Sequence, residues 1–150
     1  MANDMMSHFE LFQPNDLETA FELLDRWGDR GWKLAGGHDS LGWFKERIKQ
    51  PQALIDLEGI AELRGIRETA DGIEIGSLTT LTDIERDPML RQRCGLLTEA
   101  AHRVASPQIR NTGTLGGNLC QDTRCWYYRY GLTCYRAGGN VCYADTPVAM

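Results

Sequence analysis

The sequence has no uninterrupted apolar run near the roughly 20 residues that a membrane-spanning helix requires. No membrane association is expected from it. It also has no excess of basic residues: 16 Lys and Arg stand against 21 Asp and Glu, for a net charge of −5. A mildly acidic chain does not hold nucleic acid by neutralising phosphates, so no nucleic-acid partner is expected. Residues 1–9 lack a basic start followed by an apolar core. No secretory leader is therefore expected there, and the expected location is cytoplasmic. Export within a folded complex, on a partner's twin-arginine signal, would also fit. No Ser-His-Asp arrangement or paired carboxylates emerge, so hydrolysis has no support. No glycine loop is followed by Gly-Lys-Ser/Thr, which excludes a P-loop. None fits G-x-G-x-x-G, which disfavours an ordinary Rossmann domain. Tyrosine is missing before Tyr127, and Cys94 is the only cysteine before Cys120.

What is present describes one folded chain of mixed helix and strand. With 150 residues, 42% of them hydrophobic and 25% charged, it can bury about 68–70% of its unfolded surface. Apolar residues spread along the whole length argue against disorder. A short strand is expected at residues 9–12. A helix capped by Asn15 or Asp16 follows, carrying Leu17, Ala20, Phe21 and Leu24 and stopped by Gly28. Further strands are expected at residues 32–35 and 53–57, with a helix at 41–48 between them. The Asp71-Gly72 turn predicts a hairpin of residues 65–69 and 72–77. Thr82 is expected to cap a short helix before Pro88. The stripe Leu90, Cys94, Leu97, Ala101 and Val104 predicts one continuous helix, ended by Pro107, with Cys94 as a core thiol.

Two glycine loops stand out. Ala35-Gly36-Gly37-His38-Asp39 directly follows an expected strand. Adjacent glycines let the backbone approach a ligand and present successive amides to an anion. A tight turn that merely needs positive φ explains the same pair. His38 either touches a ligand or serves the loop's own hydrogen bonding. The second loop, Thr112-Gly113-Thr114-Leu115-Gly116-Gly117-Asn118, adds hydroxyl and amide donors to the same backbone freedom. Two such loops, each just past an ordered element, raise the case for a dinucleotide. His8 and His102 have no evident partner, and Asp25, Asp29 and the other carboxylates read as solvated helix faces.

The last quarter of the chain is chemically distinct. Cys120, Cys125, Cys134 and Cys142 fall within 23 residues, with gaps of four, eight and seven. Without a leader, metal binding is favoured over disulfides. Four thiolates suit a cubane iron–sulfur cluster or tetrahedral zinc. The paired C-x-x-C knuckles of structural zinc are missing, which weakens that option. Arg124, Arg129 and Arg136 could offset the thiolate charge, and Trp126, Tyr127, Tyr128 and Tyr130 could shield it from water. The plainer alternative is an aromatic-packed loop with incidental thiols.

These motifs resemble, in order and over nearly the whole chain, the FAD-binding medium subunit of the molybdenum hydroxylases. That is the xanthine dehydrogenase and carbon monoxide dehydrogenase family. The residues that carry the resemblance are Ala35-Gly36-Gly37-His38-Asp39, Leu54-Ile55-Asp56-Leu57, Ile75-Gly76-Ser77-Leu78-Thr79-Thr80-Leu81, and Pro107-Gln108-Ile109-Arg110-Asn111-Thr112-Gly113-Thr114-Leu115-Gly116-Gly117-Asn118-Leu119.

The resemblance implies an α+β fold, the N-terminal part of a vanillyl-alcohol-oxidase (PCMH)-type FAD-binding domain with a cysteine-rich insert. Residues 1–60 would form a small α/β lobe. Residues 61–150 would begin a second lobe containing the insert, residues 119–143. The FAD pyrophosphate would lie on Ala35, Gly36, Gly37, His38 and Asp39, and on Thr114, Leu115, Gly116, Gly117 and Asn118. The insert is similar to that of the subgroup containing the 4-hydroxybenzoyl-CoA reductase β subunit and the bacterial aldehyde oxidoreductase FAD subunit. There it binds an extra [4Fe-4S] cluster, whose ligands here would be Cys120, Cys125, Cys134 and Cys142. Implied partners are a small subunit with two [2Fe-2S] clusters and a large subunit with the molybdenum cofactor, where substrate chemistry occurs. The task implied for this chain is to hold and tune a flavin that passes electrons onward, with no catalytic residue of its own. Members run to roughly twice this length, so the chain reads as the N-terminal portion of such a subunit. The rival reading is a zinc-stapled assembly module without flavin.

Overall fold

The computed structural model describes residues 6–145. Its first sheet is parallel, with strands β1 (Glu10–Phe12), β2 (Gly31–Leu34) and β3 (Ala53–Asp56) in the order β1-β3-β2. Parallel neighbours require crossovers, and helices α1 (Leu17–Trp27) and α2 (Ser40–Lys45) supply them. The central strand β3 is buried at Ala53, Leu54 and Ile55, as a strand covered on both faces must be.

Helix α1 starts where its sequence directs. The Asp16 carboxylate accepts from the Thr19 amide at 2.7 Å, and Gly28 takes φ +50° at the C-terminal end. Trp43 and Phe44 on α2 pack with Leu54 of β3, and Trp32, Leu34 and Ile48 close around them. The Trp32 indole donates to the Ser40 hydroxyl at 2.9 Å, tying the start of α2 to β2.

The second half is built on the hairpin β4 (Ile66–Thr69) and β5 (Gly72–Ile75), paired antiparallel from Ile66↔Ile75 to Thr69↔Gly72. Its apolar side rests on α3 (Leu81–Arg86), α4 (Pro88–Arg93) and α5 (Gly95–His102). Leu81, Ile84, Leu90 and Ala101 form that core, with Cys94 and Leu97 packed against it. Cys94 is thus a core thiol, as its place on the stripe predicts.

Three local expectations need correction. The stripe from Leu90 to Val104 is two helices, because Cys94 leaves the helical region (φ −136°, ψ 46°) just before Gly95. The apolar spacing survives because both pieces face one core. Thr80, not Thr82, caps α3, accepting from the Asp83 amide at 3.1 Å. Pro107 starts a helix rather than ending one: α6 (Pro107–Arg110) opens on it after the Ser106 cap, since proline's missing N–H costs nothing in a first turn.

Ile84 is fully buried at the centre of the second core. Ile84→Ala should lower the unfolding free energy by about 2–5 kcal/mol, the usual cost of a buried cavity of that size. Urea unfolding followed by circular dichroism measures it.

Candidate functional site

The first glycine loop leaves the end of β2 and turns into α2. Gly37 takes φ +77°, a conformation that favours glycine. The backbone amides of Gly37, His38 and Asp39 donate to no acceptor among the described residues. Unpaired successive donors next to a helix start suit an anionic ligand. Asp39 heads α2, but its carboxylate makes no capping bond there. It accepts instead from the Trp43 indole at 3.0 Å.

The second loop reaches the same place from the other half of the chain. A Cβ on Gly36 would lie 2.0 Å from the Thr112 carbonyl oxygen, so only glycine fits. The His38 Nε2 meets the Thr112 hydroxyl at 2.5 Å, across 74 residues of sequence. His38 thus serves the loop pair itself, the second of the two roles open to it.

Beyond Thr112, the chain forms α7 (Leu115–Leu119) under the Thr114 cap. Here backbone amides are already paired within the protein. The Leu115 amide donates to Thr79 O at 2.9 Å, Gly116 to Ser77 O at 2.8 Å, and the Gly117 amide to the Thr114 hydroxyl at 3.1 Å. Among the described residues, no glycine of this loop has positive φ either. Gly116 is needed for contact instead: a Cβ there would press on Ser77 at 3.0 Å. The second loop is therefore a fixed wall, strapped to residues 77–81, and the first loop carries the open donors.

A charged network behind the wall fixes its position. Arg110 is buried, and its guanidinium donates to Glu85 at 3.0 Å and to the Val104 carbonyl at 3.0 Å. His102 meets the other Glu85 oxygen at 2.8 Å. Sequence reasoning gave His102 no partner and read the carboxylates as solvated. Only the fold joins α3, α5 and α6 at this point. The hydrogen bond from His102, with Arg110 adding to it, holds the Glu85 carboxyl below its ordinary value of 4.5.

The four clustered cysteines do not converge. Cys120 and Cys142 are exposed, Cys125 is half-buried at the start of α8 (Trp126–Arg129), and Cys134 is buried. Among the described residues, no three His, Cys, Asp or Glu side chains are placed to hold a metal ion. The thiols as they stand do not fit a four-ligand cluster. The arginines expected to offset thiolate charge pair with carboxylates: Arg124 with Asp39 at 3.2 Å, Arg129 with Glu46 at 3.5 Å, and Arg136 with Asp122. Of the aromatics, Tyr128 packs on Trp43 at 5.9 Å, whereas Trp126 and Tyr130 are largely exposed.

Comparison with known proteins decides the family. Residues 7–130 match the family described as the FAD binding domain in molybdopterin dehydrogenase. The chain belongs to that family. It is 43% identical over 111 residues to the carbon monoxide dehydrogenase medium chain of Hydrogenophaga pseudoflava, covering 74% of this chain and 39% of that one. It is 43% identical over 115 residues to the nicotinate dehydrogenase FAD-subunit of Eubacterium barkeri, covering 76% and 39%. Its fold superposes on the Hydrogenophaga pseudoflava carbon monoxide dehydrogenase lacking the Mo-pyranopterin moiety with a TM-score of 0.75. That alignment has 42% identity and covers 77% of this chain and 40% of the other. The chain thus spans about two-fifths of the length of these relatives. As a member of this family it is a mixed helix and strand FAD-binding domain, and its homologues are dehydrogenase subunits. The family match ends within the cysteine-bearing region, at residue 130.

Two outcomes test this geometry. Gly36→Ala should cost at least about 1–3 kcal/mol, the usual range for overpacking, because its clash is with backbone that cannot rotate away. It should also separate the loops, visible as loss of the His38 to Thr112 contact by NMR. For Glu85, a lowered folded-state pKa means stability that is full above pH 4.5 and fades as pH falls through the folded value. Glu85→Gln should therefore flatten the fall in urea-unfolding stability between buffers above and below pH 4.5.

Proposed function

We propose that the chain is the flavin-holding part of an electron-transfer subunit in a molybdenum-containing oxidoreductase. The observation that carries this reading is the meeting of the two glycine loops, with unpaired amides on Gly37, His38 and Asp39. In this reading residues 1–60 are the small lobe, and residues 61–150 begin the second, with its insert at 119–143. The ligand's pyrophosphate rests on Ala35, Gly36, Gly37, His38 and Asp39, against a wall formed by Thr114, Leu115, Gly116, Gly117 and Asn118. The amides of the first loop bind phosphate oxygens. The Thr114 hydroxyl, which accepts from Gly117, keeps its proton to donate. Bound FAD supplies two-electron exchange that can be split into single-electron steps. The protein's own work is to fix its phosphates and exclude water around them.

The complex in this reading adds a small subunit with two [2Fe-2S] clusters and a large molybdenum subunit, and it works in the cytoplasm. Support for the subunit organisation comes from family membership and from the relatives' names as medium chain and FAD-subunit. The proposal includes a [4Fe-4S] cluster on Cys120, Cys125, Cys134 and Cys142. It is supported by four thiols within 23 residues. Because those thiols do not converge in this structure, no electron path is drawn through them. The zinc-stapled module without flavin is disfavoured by the family match.

Anaerobic purification with metal, sulfide and visible-absorption measurements tests the proposal. FAD is expected in the protein or taken up on addition. Zinc without iron or sulfide, together with no flavin absorption, would overturn it. Cys134→Ser should remove any broad cluster absorption and spare the flavin signal. A cluster unchanged by that substitution would show that the ligand assignment is wrong.

A further inference from the structure

Residues 120–145 fold back onto the first glycine loop, and they bring positive charge to it. Arg129 is the anchor. Its guanidinium lies 4.4 Å over the Trp43 ring, beside Glu46 at 3.5 Å and Asp39 at 3.9 Å. Its side chain is only 10% exposed. Its Nε and Nη2 atoms nevertheless have no hydrogen-bond partner. Nη2 keeps its ion pair with Asp39, so Nε is the donor without any partner; a buried unpaired guanidinium donor is costly, and an arriving anion is the natural acceptor. Five residues earlier, Arg124 reaches Asp39 at 3.2 Å with its own side chain 53% exposed. That contact sets it against the last residue of the loop whose amides are unpaired.

The charge balance explains why two arginines are needed. Asp39 puts a carboxylate two residues after the glycine pair, where a diphosphate would be repelled. Arg124 and Arg129 offset that carboxylate. Arg124, the exposed one, can also swing toward a phosphate oxygen.

We propose that Arg124 is a phosphate-binding residue of this site and that Arg129 is the residue that positions it. The cysteine-bearing segment would then complete the anion pocket, whatever its thiols hold. This inference rests on the flavin reading above and goes beyond it, because the segment lies outside both glycine loops.

The test is the FAD affinity of the purified chain, read by flavin fluorescence at low and high salt, with riboflavin as the phosphate-free probe. Arg124→Met should weaken FAD by about 10- to 100-fold at low salt, the usual loss for a charged hydrogen bond, and should flatten the salt dependence. Riboflavin binding should not change. Arg124→Lys should restore much of the salt dependence, since it keeps the charge. Arg129→Lys keeps its charge but loses the planar stack on Trp43. It should weaken FAD while leaving the salt dependence close to that of the unmodified chain. If Arg124→Met binds FAD as tightly as the unmodified chain, the inference is wrong while the flavin reading stands. Equal losses of FAD and riboflavin would mark the effect as structural and also overturn it. If the unmodified chain binds no FAD, both fall together.

Discussion

The backbone of Gly36 runs so close to the Thr112 carbonyl that no side chain fits between them. Much of the architecture converges on that contact. It joins a loop made by a parallel sheet to a loop made by a helical half, 74 residues apart at the His38 to Thr112 bond. Each loop arrives already fixed. The first is held by β2 and by Trp32 on Ser40. The second is held by the Ser106 cap and the buried Arg110. Neither half could position the contact alone, because a close backbone approach demands that both partners be rigid.

The two loops divide their labour. The second uses its amides to strap itself to residues 77–79, so its glycines allow close contact rather than unusual torsions. The first keeps its amides open and places Asp39 beside them. The carboxylate needs compensation if an anion is to bind, and the cysteine-bearing segment provides it through Arg124 and Arg129. The same segment is secured by Trp43 and Tyr128. In this structure guanidinium and aromatic contacts join it to the first half of the chain.

The elements whose signal is local were legible. Asp16, Gly28 and the Asp71-Gly72 turn each act within a few residues, and each forms as read. The two glycine loops were also legible, as were the motifs of the family. What the sequence concealed depends on distant partners. The break at Cys94, before Gly95, is masked by the unbroken apolar stripe, because both helix pieces serve one core. Thr80 and Thr82 are equally good caps on paper, and the bridge from Thr80 to Thr114 goes with the one that forms. Arg124 and Arg129 read as counter-charges for nearby thiolates, since their carboxylate partners lie more than 80 positions away in the sequence. The Glu85, His102 and Arg110 network spans three helices and leaves no periodic trace.

The central claim is that the joined loops recognise a pyrophosphate, making the phosphates the handle by which this chain holds its flavin. Isothermal titration of the chain with FAD, ADP and riboflavin in parallel tests it most directly. One site for FAD, competition by ADP at the same site, and much weaker riboflavin binding are expected. Riboflavin binding as tight as FAD, or ADP failing to compete, would contradict it.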